Sequence, residues 1–265
     1  RPHWVFENLD IRGTCARHGD CEHAFHVIGR GARVSIRNNR LSDFNAPIKV
    51  NGQNGNWPDA GELAWNTLSN TTPRDTAQPV VMLDLVGAHR WRVHDNHVAN
   101  FVKTQGNRVA YGLFAKGASE DIRIERNLVI CTPQGISQPG ERVGISVGGG
   151  GTDPQVCRDG TCRSFEHRGG LAANNVVAHC NDAGVDVNRG VDVRVVHNTL
   201  INTAGITVRA GSSARLQANL VDGGSWRRDR SVVDERDAAP LARWLDPAAA
   251  RALQWHWRRA PLDGP

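Results

Sequence analysis

Residues 185–200 read VDVNRGVDVRVVHNTL and contain two short segments in which apolar and polar residues alternate. The first starts at Val185, and the second fits the motif apolar-x-x-Asn-x-apolar at Val195, Asn198 and Leu200. A period of two predicts β-strands, because successive side chains of a strand point to opposite faces. Neither segment shows the three-to-four-residue spacing of an amphipathic helix.

Both segments recur along the chain, and this repetition is the main feature of the sequence. A basal repeat of 21–23 residues, lengthened by inserted loops, accounts for the spacing of the motif. The motif asparagines are Asn39, Asn66, Asn96, Asn127, Asn198 and Asn219, with Asn175 in a weaker match. The alternating segments are Phe25/Val27, Ile48/Val50, Leu83/Leu85, Leu113/Ala115, Ile145/Val147, Val185/Val187 and Ile206/Val208.

Two repeat architectures share this motif. A leucine-rich repeat has one strand and a Leu-rich return, whereas this chain has a second strand, more Val and Ile, and insertions of variable length. We therefore predict an all-β parallel β-helix, a single-chain solenoid of about seven to eight coils over residues 1–223. An irregular C-terminal cap is expected over residues 224–265. The asparagines are expected to form a buried ladder in which each tolerates a left-handed bend and bonds its neighbours.

The spacing and the asparagine bends over residues 4–223 resemble the right-handed parallel β-helix superfamily, which pectate-lyase-like and NosD-like repeat proteins typify. The ending LQWHWRRAPLDG, residues 253–264, is similar to the closing segment of such bacterial proteins. The resemblance implies right-handed coils and an activity on polysaccharides, although a fold alone does not determine function.

The charged and apolar residues of the chain indicate which kinds of partner to expect. Lys and Arg number 32 against 27 Asp and Glu, for a net charge of +5, and the two signs are interleaved. Interleaved charges argue against a nucleic-acid binder. No apolar run approaches the ~18 residues needed to span a bilayer. We expect a monomer without a membrane span whose partner is an acidic polysaccharide.

Six cysteines form an even set without the CxxC spacing of a zinc site. Cys157 and Cys162 enclose an Asp-Gly turn, which predicts a disulfide-closed loop. Cys131–Cys180 and Cys15–Cys21 are the remaining expected pairs. Disulfides persist in oxidising compartments, so the sequence predicts a periplasmic or secreted bacterial protein.

The insertions flank one strand of each repeat. Extra residues fall before the alternating strand at 69–80, 99–110 and 130–142, and after it at 53–61 and 149–169. In terms of domain organisation, the β-helix of residues 1–223 therefore carries loop insertions at 53–80, 99–110, 130–142 and 149–169. Variable loops on a repeating scaffold usually carry binding, so we expect them to enclose a groove over the outer surface of this strand.

The outward residues of this strand stack in two predicted columns. The first reads His26, Lys49, Asp84, Phe114, Ser146, Asp186 and Thr207, and the second Ile28, Asn51, Val86, Lys116, Gly148, Asn188 and Arg209. We assign Lys49, His26 and Asp84 as candidate catalytic residues. The candidate substrate-binding residues are Asn51, Lys116, Asp186, Asn188 and Arg209.

This mixture of groups suits β-elimination on a uronate polymer. A base removes the proton α to the carboxylate while a cation stabilises the enolate-like state. Lys49 is the predicted base because of its position, with His26 as its rival. The neighbouring carboxylate of Asp84 is an objection to Lys49, since it favours a charged lysine, and the objection weakens if Asp84 binds a metal. Calcium is a possible neutraliser, with Asp84 and loop residues Asp59 or Glu62 as its ligands, but several hard oxygens are required.

The sequence is consistent with more than one function for this face. The face is either a working groove or a solvated strand whose Lys and Asp pair across coils. A non-catalytic glycan-binding or envelope-scaffold protein would use the same groove without chemistry. Hydrolysis with inversion is disfavoured because Asp84 and Asp186 are three coils apart, ~14 Å, and that reaction needs carboxyls about 6.5–9.5 Å apart. The Asn-Lys-Ser and Asp-Pro-His-Asp motifs of related lyases and epimerases are missing.

Overall fold

The computed structural model describes residues 2–132, 138–236 and 238–240. It is built from parallel strands that stack into three long sheets of nine, nine and eight strands. Consecutive strands of the chain go to different sheets, and each sheet grows by one strand each time the chain returns. This arrangement confirms the all-β class and fits the predicted parallel β-helix.

Sheets one and two contain the strands on either side of the repeated asparagine. Sheet one contains β1 (Val5–Glu7), β4 (Ser35–Arg37), β7 (Glu62–Ala64), β10 (Arg92–His94), β14 (Arg123–Glu125), β18 (Leu171–Ala173), β22 (Val193–Val196), β25 (Ser213–Gln217) and β28 (Val232–Arg236). Sheet two contains β2 (Asp10–Arg12), β5 (Arg40–Ser42), β8 (Thr67–Ser69), β11 (His97–Ala99), β15 (Leu128–Ile130), β19 (Val176–Cys180), β23 (Thr199–Thr203), β26 (Leu220–Val221) and β29 (Ala239–Pro240).

Sheet three is formed by the alternating strands of the sequence. It contains β3 (Phe25–Ile28), β6 (Ile48–Asn51), β9 (Val80–Val86), β12 (Val109–Lys116), β16 (Glu141–Val147), β20 (Val185–Val187), β24 (Ile206–Val208) and β27 (Ser225–Arg227). A small fourth sheet pairs β13 (Ser119–Glu120), β17 (His167–Arg168) and β21 (Gly190–Val191). Short 3-10 helices lie at His18–Asp20 and Pro154–Val156.

The asparagine ladder is formed by side-chain amides that bond along the stack. The Asn96 Oδ1 accepts the backbone N–H of Asn66 at 2.9 Å and its Nδ2–H at 3.0 Å, and the Asn96 Nδ2 donates to Asn127 Oδ1 at 3.0 Å. The same pattern joins the seven asparagines from Asn39 to Asn219. All seven are buried, so the ladder satisfies polar groups inside the solenoid.

The left-handed bend lies one residue earlier than expected. The residue before each ladder asparagine has φ between 49° and 57°, whereas the ladder asparagines themselves are not in this region. The bend residues are Asn38, Trp65, Asp95, Arg126, Asn174, His197 and Ala218. The asparagine therefore contributes the hydrogen bonds of its buried amide, and the residue before it adopts the strained, left-handed backbone conformation.

The core consists of the predicted inward positions. All of the predicted inward residues of β6, β9, β12, β16, β20 and β24 are 2% exposed or less. Phe25 and Val27 on β3 are half-buried and pack against the same core, because β3 is the end strand of sheet three. The alternation read from the sequence is thus confirmed.

The three predicted disulfides, Cys15–Cys21, Cys131–Cys180 and Cys157–Cys162, are all formed. Cys131 and Cys180 join neighbouring turns of the solenoid beside the ladder, with Cα atoms 5.0 Å apart. The other two close short loops. None of the described residues forms a helix long and apolar enough to cross a membrane.

The insertions and the end of the chain differ in part from the predicted bounds. Residues 53–80 include β7 and β8, so the added residues there are 53–61 and 70–79. The three sheets continue past residue 223 through β27, β28 and β29. Residues 133–137 of the 130–142 insertion, and 241–265 of the predicted cap, lie outside the described residues.

Candidate functional site

One column of outward residues runs along the whole length of sheet three. Cα pairing places the members of this outer column next to one another in the predicted order: His26, Lys49, Asp84, Phe114, Ser146, Asp186 and Thr207, followed by Trp226. Neighbouring members are therefore about 4.8 Å apart along the axis.

Three charged side chains of this face form one cluster. Lys49 Nζ donates to Asp84 Oδ2, and Lys116 Nζ lies 3.5 Å from Asp84 Oδ1. Asp84 is only 5% exposed, whereas the side chains of Lys49 and Lys116 are 25% and 21% exposed. Lys116 also lies 4.2 Å above the centre of the Phe114 ring. The cluster carries two ammonium groups and one carboxylate, so it has an excess positive charge.

This pairing bears on the role of Lys49. A general base must accept a proton, whereas Lys49 Nζ acts as a donor here, to the buried carboxylate of Asp84. Lys49 is therefore better placed to act as a cation than as a base. An ammonium has three N–H donors, and the contact with Asp84 uses one of them.

His26 lies beside Lys49 in the outer column and is exposed to solvent. Its Nε2 is 2.7 Å from Asn51 Oδ1, while Asn51 Nδ2 donates to the Gly52 carbonyl at 2.9 Å. The Gly52 contact fixes the amide with its oxygen towards the imidazole, so Nε2 carries the hydrogen. The neutral imidazole then has its electron pair on Nδ1, which is the atom of a general base.

An open depression of about 200 Å³ adjoins the Lys49–Asp84 pair. The loop before β9 contributes Gln78 and Pro79 to its wall, and His23, whose ring centroid is 5.1 Å from that of His26, also lines it. Two residues of the 69–80 insertion therefore line this depression. The depression opens to solvent.

A second cluster lies farther along the same face. Arg209 Nε donates to Asp186 Oδ1 at 2.8 Å, and its NH2 group is 3.8 Å from Asp182 Oδ2. Burial raises the pKa of Asp186, and the hydrogen bond from Arg209 opposes this rise without cancelling it. Asn188 lies against Gly150 of the 149–169 insertion. Asp186, Asn188 and Arg209 are therefore brought together, but away from Lys49.

Aromatic rings separate the two clusters. Tyr111 stacks on Phe114 with ring centroids 4.4 Å apart, and Phe114 is 6% exposed. Burial raises the pKa of Tyr111, and Asp186 adds to this effect. No sequence pattern marks Tyr111, since it lies before the part of β12 where apolar and polar residues alternate. The face therefore has charged, aromatic and charged zones in succession.

The carboxylates proposed for calcium do not converge. Asp59 binds Arg158, and Glu62 is on sheet one, where its Oε1 lies 3.2 Å from His94 Nε2. Asp84 is flanked by two ammonium groups, which repel a divalent cation. Among the described residues, three potential metal-binding side chains converge only at Cys157, Asp159 and Cys162, and these cysteines form a disulfide. The residues around Asp84 do not fit calcium.

Two insertions on one side of the face are tied together. Arg158 of the 149–169 insertion donates to both carboxylate oxygens of Asp59, at 2.6 and 3.1 Å, and to the Gly87 carbonyl at 3.2 Å. Its guanidinium also lies 5.4 Å from the Trp57 ring. No pattern in the sequence indicated this contact.

Comparison of the chain with known protein families, with curated proteins and with solved structures finds no match.

Proposed function

We propose that this protein is a carbohydrate-active parallel β-helix that binds an acidic, uronate-containing polysaccharide on the outer face of sheet three and cleaves it by β-elimination. The observation that carries the proposal is the convergence of Lys49 and Lys116 on Asp84 beside His26, next to an open depression. The proposal includes membership of the right-handed superfamily, with seven to eight coils, and a monomeric state. It also includes a periplasmic or secreted bacterial location, which the three disulfides favour.

The two lysines supply the positive charge that the reaction needs. The free N–H donors of Lys49 and Lys116 would hold the carboxylate of one uronate unit and stabilise the negative charge that develops on it. Asp84 contacts both ammonium groups and holds them close together. It is thus a positioning residue in this scheme.

The base is His26 in this scheme, which reverses the ranking of Lys49 over His26 made from the sequence. His26 Nδ1 takes the proton α to the carboxylate, the electron pair forms a carbon–carbon double bond, and the β-carbon–oxygen bond to the leaving sugar breaks. The leaving oxygen takes a proton from water. Asn51 acts by holding Nε2–H and so keeping the electron pair on Nδ1.

Binding without cleavage is the second candidate function. It is favoured by the direct Lys49–Asp84 contact, because a lysine held in this way is suited to hold an anion. A glycan-binding or envelope-scaffold protein would use the same two lysines.

The test is a screen of polygalacturonate, alginate and glycosaminoglycan polymers, followed by ultraviolet absorbance of the unsaturated product. We expect His26→Ala to abolish product formation and retain binding, and Lys49→Ala to weaken both. His97→Ala, on the outer surface of sheet two, is the matched control. Binding by the wild type without any unsaturated product supports the binding protein, and no binding of any of the three polymers contradicts the proposed face.

A further inference from the structure

The last strand of sheet three adds a tryptophan to the outer column. Trp226 on β27 is paired in register with Thr207, two strands beyond Asp186. Trp226 is 56% exposed. This exposure is unfavourable, because the indole ring places a large apolar surface in water. The predicted column ends at Thr207, because residues 224–265 are expected to form the cap.

The Trp226 ring is held in one orientation. Its Nε1–H donates to the Ala204 carbonyl at 2.9 Å. The ring also runs past Gly224 so closely that a Cβ there would lie 3.8–3.9 Å from it. A ring fixed by its polar edge, with much of its surface in water, loses little conformational freedom when a ligand covers it.

The neighbourhood of Trp226 contains cations suited to carboxylates. Arg209 is 33% exposed, uses its Nε for Asp186 and has one NH2 group 3.8 Å from Asp182. A guanidinium has five N–H donors, so donors remain for a ligand. Arg228 follows β27 directly, donates its backbone N–H to the Val208 carbonyl at 2.9 Å, and acts electrostatically on Asp186. An apolar platform beside guanidinium groups matches a sugar ring that carries a carboxylate.

We propose that Trp226 and Arg209 form a distal subsite for the acidic glycan, in which a pyranose ring stacks on the indole and its carboxylate binds Arg209. This inference rests on the proposed function and adds the substrate class, a polymer rather than a short oligosaccharide. Lys49 and Trp226 are six strands apart in sheet three, about 29 Å along the axis. One ligand reaches both places only if it spans several sugar units.

The experiment compares a polymer with its trimer as ligands. Polygalacturonate and trigalacturonate, or alginate and its trimer if the screen selects it, are titrated calorimetrically against wild type, Trp226→Ala, Trp226→Phe and Trp65→Ala. Trp65 is 55% exposed at the bend before β8, so Trp65→Ala is a matched loss of an exposed indole elsewhere on the molecule. Thermal melting checks that each variant is folded.

We expect Trp226→Ala to weaken polymer binding about tenfold, with trimer binding at the Lys49 cluster unchanged. Trp226→Phe, which keeps an aromatic surface but loses the Ala204 hydrogen bond, should restore part of the affinity. Polymer binding that is equal in wild type and Trp226→Ala, or equally weakened by Trp65→Ala, overturns the distal subsite and leaves the proposed function standing. Failure of the wild type to bind any acidic polymer overturns both.

Discussion

Arg158 and Asp59 form a bidentate ion pair between two insertions that are 99 residues apart in the sequence. Both side chains are mostly buried, at 27% and 18% exposure. The pair fixes the 149–169 insertion, with its Cys157–Cys162 disulfide, against the loop at 53–61. One wall of the sheet-three face is therefore a cross-linked unit and not two independent loops.

Asp59→Asn should lower the free energy of unfolding by about 1–2 kcal/mol at pH 7. Burial raises the pKa of Asp59, but hydrogen bonds from Arg158 and from the His89 N–H outweigh it, so the pKa is lowered. The stabilisation is then complete above the unfolded pKa of about 3.9 and is lost as the pH falls through the folded value. Urea unfolding of the wild type and of Asp59→Asn between pH 7 and pH 2.5 measures the free energy of unfolding at each pH. Asp10→Asn, an exposed carboxylate on β2, is the control, and equal pH profiles for the two variants would contradict the prediction.

Asn96→Ala should be among the most destabilising single changes in the ladder. It removes the acceptor of two buried N–H groups of Asn66 and the donor to Asn127. Each buried unpaired group costs about 1–3 kcal/mol, so we expect a loss of about 2–5 kcal/mol. Chemical unfolding measures it, with Asn56→Ala in the 53–61 loop as a control expected within about 0.5 kcal/mol of wild type. A loss below 1 kcal/mol for Asn96→Ala would mean that water or rearrangement replaces the amide.

The disulfides should differ in their contributions to stability. Cys131 and Cys180 are 49 residues apart, whereas Cys157 and Cys162 are five apart. Chain-entropy arguments give about 4 kcal/mol for the first pair and about 2 kcal/mol for the second. Paired Cys→Ala variants and guanidinium unfolding test this order. The reverse order would show that the 149–169 loop has a larger role in folding than its length implies.

Asp84→Asn should strengthen the binding of an acidic glycan about threefold to tenfold, because it removes the only negative charge of the Lys49–Lys116 cluster. The affinity of the variant should also fall more steeply with salt. Calorimetry at 20 and 200 mM NaCl measures both effects. A weaker affinity in Asp84→Asn would show instead that holding the two lysines in place matters more than the charge of the carboxylate.

The outer column could be predicted from the sequence because strand alternation and the repeat together fix which residues stack. His26, Lys49 and Asp84 are neighbours for that reason alone. The Arg158–Asp59 contact could not be predicted, since loops of variable length carry no period. Trp226 was missed for a related reason: β27 is short, and its partners Ile206 and Val208 stand opposite Ser225 and Arg227, so no apolar alternation marks it.

The position of the left-handed bend was also misjudged, and the cause is physical. Asparagine tolerates positive φ better than most residues, so a repeated asparagine at a turn suggests that conformation. At Asn127, however, the side-chain Nδ2 and the backbone N–H both donate to Asn175 Oδ1, and Nδ2 also donates to the Val93 carbonyl. Side chain and backbone of Asn127 must therefore face the same neighbour, and Arg126 takes the positive φ instead.

The amides of the ladder all point the same way. Each Nδ2 donates to the Oδ1 of the next asparagine from Asn39 through to Asn219, without one reversal. Strand dipoles alternate and nearly cancel in a sheet, but these side-chain dipoles add head to tail and polarise one another. The solenoid axis is thus electrically polar, with its negative end at Asn39 and its positive end at Asn219.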